Sequence, residues 1–155
     1  MAAITRQEVE AAQATWGEGV VAIGQVFQDG GDYTARARQH IDELYGYGLG
    51  HVVFKPTLAA DAQFRNDVKG ALSYFVAGNS GYPEDHGFAI KPWTAVRFEN
   101  CGILLLGDVA LAMGNYFFTE LNGDVTKVEY SFGYTRGAGG ELRIVLHHSS
   151  LPYQP

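Results

Sequence analysis

Cysteine is almost missing from this chain. Cys101 is the only one, so an internal disulfide is excluded and a reducing compartment, the cytoplasm, is the expected setting. It reads as a small packed hydrophobe rather than a nucleophile. Positive charge is also scarce: eleven Lys and Arg against seventeen Asp and Glu leave a formal charge of -6. That balance argues against nucleic acid or an anionic membrane as the main partner, since both demand a basic surface. No apolar run approaches the roughly 18 residues of a membrane span, and the first residues carry no apolar core of a secretion signal. Metal-ligand spacing is absent as well. His40, His51 and His86 are scattered, Cys101 has no companion, and adjacent His147 and His148 would point to opposite faces of a regular strand. No metal and no cofactor are expected.

What is present is one domain's worth of chain, residues 1–155, long enough to bury a core without a staple. Twenty glycines and a 13% aromatic share point to much sheet. Thr5 and Glu8 have the spacing of a capping box, and Val9, Ala12, Trp16, Val20, Ile23 and Phe27 then lay an apolar stripe along a helix of about six turns. Asp29-Gly30-Gly31-Asp32 stops it. A second helix is expected from Asp32 to Tyr45, with Ala35, Ala37, Ile41 and Leu44 inside. A short strand over His51–Lys55 is closed by Pro56-Thr57, and Ala62–Arg65 reads as a short partner strand. A third helix carries Tyr74 and ends near Ala77. Tyr82–His86, with Pro83, Glu84 and Asp85, reads as a surface loop. The remainder is sheet: Trp93–Leu106 bent at Cys101-Gly102, Val109–Thr119, the hairpin signal Asn122-Gly123, Thr126–Thr135, the glycine turn 137–140 and a closing strand. Helices first and long antiparallel hairpins afterwards predict an α+β fold, one strongly curved, mainly antiparallel sheet wrapped around a long N-terminal helix.

The closing strand carries the chemistry. Leu142-Arg-Ile-Val-Leu-His-His-Ser-Ser-Leu-Pro152 starts apolar and ends in four polar residues. Regular alternation puts Leu142, Ile144, Leu146, His148 and Ser150 on one side, and Arg143, Val145, His147 and Ser149 on the other, wetter one. His148 and Ser150 thus stand at the end of an apolar row, as pocket residues or as strand-end groups satisfied by backbone and water.

Lys55-Pro56-Thr57, Ser73-Tyr74-Phe75, Tyr130-Ser131-Phe132-Gly133-Tyr134 and His147-His148-Ser149-Ser150-Leu151-Pro152 resemble the iota-class carbonic anhydrases. Those enzymes belong to the nuclear transport factor two-like superfamily, with its cone-shaped fold, and are related to the association domain of calcium/calmodulin-dependent kinase. The resemblance covers essentially the whole chain. It implies reversible hydration of carbon dioxide to bicarbonate without metal, with Thr57, Tyr74, His148 and Ser150 as the catalytic set, and a homodimer built on the outer sheet face. In such a site His148 would be the base and the three hydroxyls would donate to the growing oxyanion. Two other readings fit the same residues. One is a non-catalytic small-ligand-binding or oligomerisation module of the same fold; the other is acid-base chemistry on a larger organic substrate in an aromatic-lined pocket. Thr57 also reads as a turn hydroxyl after Pro56, and Tyr74 as a core aromatic.

Overall fold

Thr5 and Glu8 do form the capping box: the Glu8 amide donates to Thr5 Oγ1 at 3.2 Å and the Thr5 amide to Glu8 Oε1 at 3.1 Å. Helix α1 follows over Arg6–Gln28 in this computed structural model, which describes residues 2–155. Val9, Gln13, Trp16, Val20 and Ile23 make its buried stripe, whereas Phe27 is exposed and packs edge-on against Tyr33. Helix α2, Tyr33–Leu44, is capped by Asp32 and buries Ala37, His40 and Ile41. Ala35, expected inside, faces solvent, and His40 takes the place on the buried face. Gly19 of α1 makes that possible, because a Cβ there would run into the His40 ring.

The sheet contains β1 (Val53–Lys55), β2 (Trp93–Leu106), β3 (Val109–Glu120), β4 (Val125–Arg136) and β5 (Leu142–Ser150), and α3 (Val68–Val76) lies between β1 and β2 in the chain. Its order is β1-β5-β4-β3-β2, antiparallel throughout except for the parallel β1–β5 pair. Ala62–Arg65 is irregular rather than a strand; a bond from the Arg65 amide to the Phe54 carbonyl, 2.7 Å, ties it to β1 without building a ladder. Curvature shows in one side chain. Trp16 of α1 meets Phe98 of β2, Tyr116 and Phe118 of β3, Phe132 of β4 and His147 of β5, with ring centroids 5.5 to 6.2 Å apart. The sheet therefore wraps around α1, as the strand pattern predicts.

The bend in β2 falls where glycine marks it, with a register shift between Asn100 and Gly102. Asn100 exchanges amide bonds with Gln13 (2.7 and 2.9 Å) and accepts from Tyr130 Oη at 2.6 Å, so it fastens α1 to the bend. Arg97 is exposed. Among the described residues no helix is long and apolar enough to cross a membrane.

His40 makes stability depend on pH. Its ring lies between Trp16 and Phe75, Nε2 has no partner, and burial, followed by Arg36, holds its pKa down at about 3. Once unfolded, the ring titrates near 6.5, so between 6.5 and 3 the unfolded chain binds more protons than the native one. Stability is therefore lost as pH falls through that window, and this contribution levels off below it. We expect the urea midpoint to drop between pH 7 and pH 5, and His40→Leu to flatten the slope; a wild-type midpoint equal at the two pH values would contradict this.

Candidate active site

The polar end of β5 does not alternate as a regular strand. Gly133 of β4 pairs with Leu146 while its neighbour Tyr134 pairs with Ile144, so Val145 is an extra residue with no partner across the ladder. Side chains change face there. Ile144 points inward at 3% exposure, but beyond the bulge the inward positions are His147 and Ser149, each 2% exposed. His148 is exposed, and Ser150 donates to Glu129 Oε1 at 2.8 Å on the outer side. The expectation that His148 and Ser150 face the interior is corrected accordingly. Leu146, His148 and Ser150 do share a face, but it is the outer one. The segment after α2 docks beside the bulge, where the Gly46 amide donates to the Ile144 carbonyl at 2.8 Å.

His147 is held on every side. Phe54 and Phe132 stack on its two faces, with centroids at 4.7 and 4.1 Å. Tyr45 Oη lies 2.9 Å from Nδ1 and Tyr116 Oη 3.1 Å from Nε2. Burial pushes its pKa well below the ordinary histidine range, with His148 and His40 adding to the effect, so the ring is neutral. Tyr116 Oη also makes a short hydrogen bond to Ser149 Oγ, which receives a further bond from Thr57 Oγ1 at 2.7 Å. Burial raises the Tyr45, Tyr74 and Tyr116 phenols, which keeps all three protonated.

Thr57 and Tyr74 are brought to the same place by a buried clamp. The Arg65 guanidinium, its side chain fully buried, pairs with both Asp85 oxygens at 2.8 Å and donates to the Ala62 and Gly70 carbonyls at 2.8 Å. Ser73 donates to Asp85 at 2.6 Å, and Glu84 accepts from the amides of Ala60, Asp61 and Ala62. Every charged group in the clamp is hydrogen-bonded, Asp85 to Arg65 and Ser73 and Glu84 to three backbone amides, which burial requires if desolvation is to be offset. Tyr82–Asp85 is thus a fastening for the 56–66 segment rather than a solvated loop. The Leu58 amide, set by that segment, donates to Tyr74 Oη at 3.3 Å, and the Thr57 hydroxyl lies beside the same phenol.

These groups enclose a cavity of about 10 Å³, lined by Trp16, Phe54, Pro56, Thr57, Tyr74, Phe75, Phe88, Tyr116, His147 and Ser149. It holds about one water-sized occupant. Thr57, Tyr74 and Phe88 also line a larger, mostly apolar cavity of about 500 Å³ outside it, bordered by Leu58, Trp93, Phe118 and Val128. The arrangement can bind one small neutral molecule among four hydroxyls and no ionised side chain. Among the described residues no three His, Cys, Asp or Glu side chains gather in a way that could hold a metal ion. Tyr116 and Tyr45 do not stand out in the sequence as site residues, and Trp16 reads there only as part of the apolar stripe of α1.

A family model described as metal-independent carbonic anhydrase matches residues 7–151. The metal-independent carbonic anhydrase of Nostoc sp. (strain PCC 7120 / SAG 25.82 / UTEX 2576) is 44% identical over 155 residues, covering 98% of this chain and 76% of that protein. Among solved structures, an iota-carbonic anhydrase from a cyanobacterium, complexed with bicarbonate, superposes with a TM-score of 0.96 at 42% identity, over 99% of this chain and 95% of that one. A protein from Xanthomonas campestris assigned to the calcium/calmodulin-dependent protein kinase II association domains shares the fold, with a TM-score of 0.67, 21% identity, and 98% and 91% of the two chains covered. Matched along nearly its whole length, the chain belongs to the metal-independent carbonic anhydrase family.

Proposed function

We propose that the protein interconverts carbon dioxide and bicarbonate where the small cavity meets the larger one, the water held in the first and carbon dioxide entering from the second, with Thr57, Tyr74 and Ser149 touching the reactants and Tyr116 and His147 polarising Ser149. One observation carries this reading: hydroxyls from the β1 end, α3 and β5 converge on a space fit for one small molecule. Aromatic walls accept a neutral gas, and the buried setting penalises any separated charge formed during the reaction.

The hydrogen-bond directions suit a path that creates none. Thr57 donates to Ser149 Oγ, so its own lone pairs are open to a water hydrogen. As that water attacks carbon, its proton passes to Thr57 Oγ, the Thr57 proton passes to Ser149 Oγ, and the Ser149 proton passes to a carbon dioxide oxygen. A C–O bond forms, one C=O π bond breaks, the hydroxyls are restored, and the product is carbonic acid, which ionises on reaching water. Ser149 can release its proton because its bond to the Glu129 carbonyl, at 3.3 Å, is a long one. Tyr74 donates its phenol hydrogen to the other substrate oxygen. No imidazolium or hydroxide need form in the aromatic interior.

Cytoplasmic residence fits the free Cys101 thiol. A homodimer fits the outer face of β2 and β3, where Leu104 is paired with Leu111 across the ladder and Met113 lies beside them, 54%, 39% and 57% exposed.

In stopped-flow hydration assays, Ser149→Ala should lower kcat/KM by about 10²- to 10³-fold, while Ser150→Ala and His148→Ala leave it unchanged. The opposite pattern would return the site to the outer residues. Because three protons move together, the rate in mixtures of light and heavy water should curve with deuterium fraction; a straight line would rule out the relay. Light scattering should give twice the chain mass for the wild type and a single chain for Leu111→Lys, whereas a monomeric wild type would dismiss the dimer.

A further inference from the structure

Tyr45 has a fully buried hydroxyl with two partners. Trp16 Nε1–H, 3.0 Å away, can only donate, so the Tyr45 oxygen accepts from it. The other partner is His147 Nδ1 at 2.9 Å, the one acceptor within reach of the Tyr45 hydrogen among the described residues. His40 Nε2, on a ring that also packs against Trp16, has no hydrogen-bond partner and so does not compete. We infer that Trp16 and Tyr45 lock His147 in the tautomer that carries its proton on Nε2, so that His147 donates to Tyr116 and is not the base of the reaction.

The alternative tautomer makes the cost plain. With the proton on Nδ1, Tyr45 would accept from both Trp16 and His147 and its own hydrogen would be left unpaired in the interior. That penalty favours the Nε2–H form about tenfold or more. On the other side of the ring both tautomers can be satisfied, so Tyr45 alone decides. With Nε2–H donating, Tyr116 accepts at 3.1 Å and must send its own hydrogen to Ser149 Oγ. Ser149 then accepts from Tyr116 and from Thr57, and its own hydrogen, held only by the long 3.3 Å bond to the Glu129 carbonyl, is the one it can give to the reactants. In the other tautomer Tyr116 would give its hydrogen to His147, and Ser149 would spend its own on Tyr116. Tyr45 is thus a positioning residue, acting through His147 and Tyr116 on the hydroxyl that the proposed relay needs. The consequence for catalysis rests on that reading, whereas the tautomer does not.

The test is long-range proton–nitrogen NMR on the full chain labelled with ¹⁵N histidine at pH 7, with the His147 signals identified by their loss in His147→Gln. The expected spectrum has a protonated, pyrrole-type Nε2 and a bare, pyridine-type Nδ1. A protonated Nδ1, alone or together with Nε2, would overturn the inference, and this readout needs no activity. Tyr45→Phe should blur that signature into a mixture and lower kcat about tenfold at unchanged KM. An unaltered His147 spectrum in Tyr45→Phe would equally overturn the lock. Should that variant fail to fold, the wild-type spectrum decides alone. Absence of any hydration activity in the wild type would sink the proposed reaction and leave the tautomer still measurable.

Discussion

One unpaired residue, Val145, governs what the interior of this protein contains. Were β5 regular, the row begun by Ile144 would continue through Leu146 to His148 and Ser150. The extra residue turns that row outward after Ile144, and His147 with Ser149 enters instead. Gly133 accommodates the shift, since a Cβ there would stand 2.9 Å from Leu146 Cβ. The same bulge receives the end of α2, which brings Tyr45 against His147. A single irregularity in the ladder therefore positions a histidine, a serine and the tyrosine that orients them.

The second constraint is electrical neutrality. The inner cavity is ringed by aromatics and hydroxyls, and its one titratable base is kept uncharged by burial. Polar groups in such a place are tolerated because each is hydrogen-bonded, and a network that is fully satisfied also has a direction. Charge is confined to the outer clamp of Arg65, Asp85 and Glu84, which holds Thr57 and the Leu58 amide in place without entering the cavity. Separation of the two zones lets rigid ionic fastening coexist with an uncharged reaction space.

Much of the architecture was legible in the residues because it rests on local signals. The capping box, the Trp16 stripe, the glycine bend of β2 and the Asn122-Gly123 hairpin each follow from short-range sterics or hydrogen bonding. Thr57 and Tyr74, singled out through the resemblance to the iota-class enzymes, do line the inner cavity. Facing at the end of β5 was not legible, because a bulge at Val145 depends on what lies across the ladder and beside it, and neither Val145 nor its neighbours differ from ordinary strand formers. The clamp was missed for a related reason. Arg65, Glu84 and Asp85 are polar residues in segments without periodicity, and twenty residues of chain separate the cation from its partner. His40 on a buried face depended on the space left by Gly19, a tertiary fact.

The roomy outer cavity has a bearing on traffic through the protein. Its lining is mostly apolar, with Leu58, Phe88, Trp93, Phe118 and Val128 beside Glu84, Asp85, His86 and Lys91, and the apolar part suits an uncharged linear gas and offers poor hydration to an anion. Such a vestibule cannot alter the balance between the two solutes in bulk solution. It does bias occupancy: the gas is retained near the threshold, while the hydrated ion is evicted soon after it forms, so crowding by the ion should weigh little on turnover in the hydrating direction.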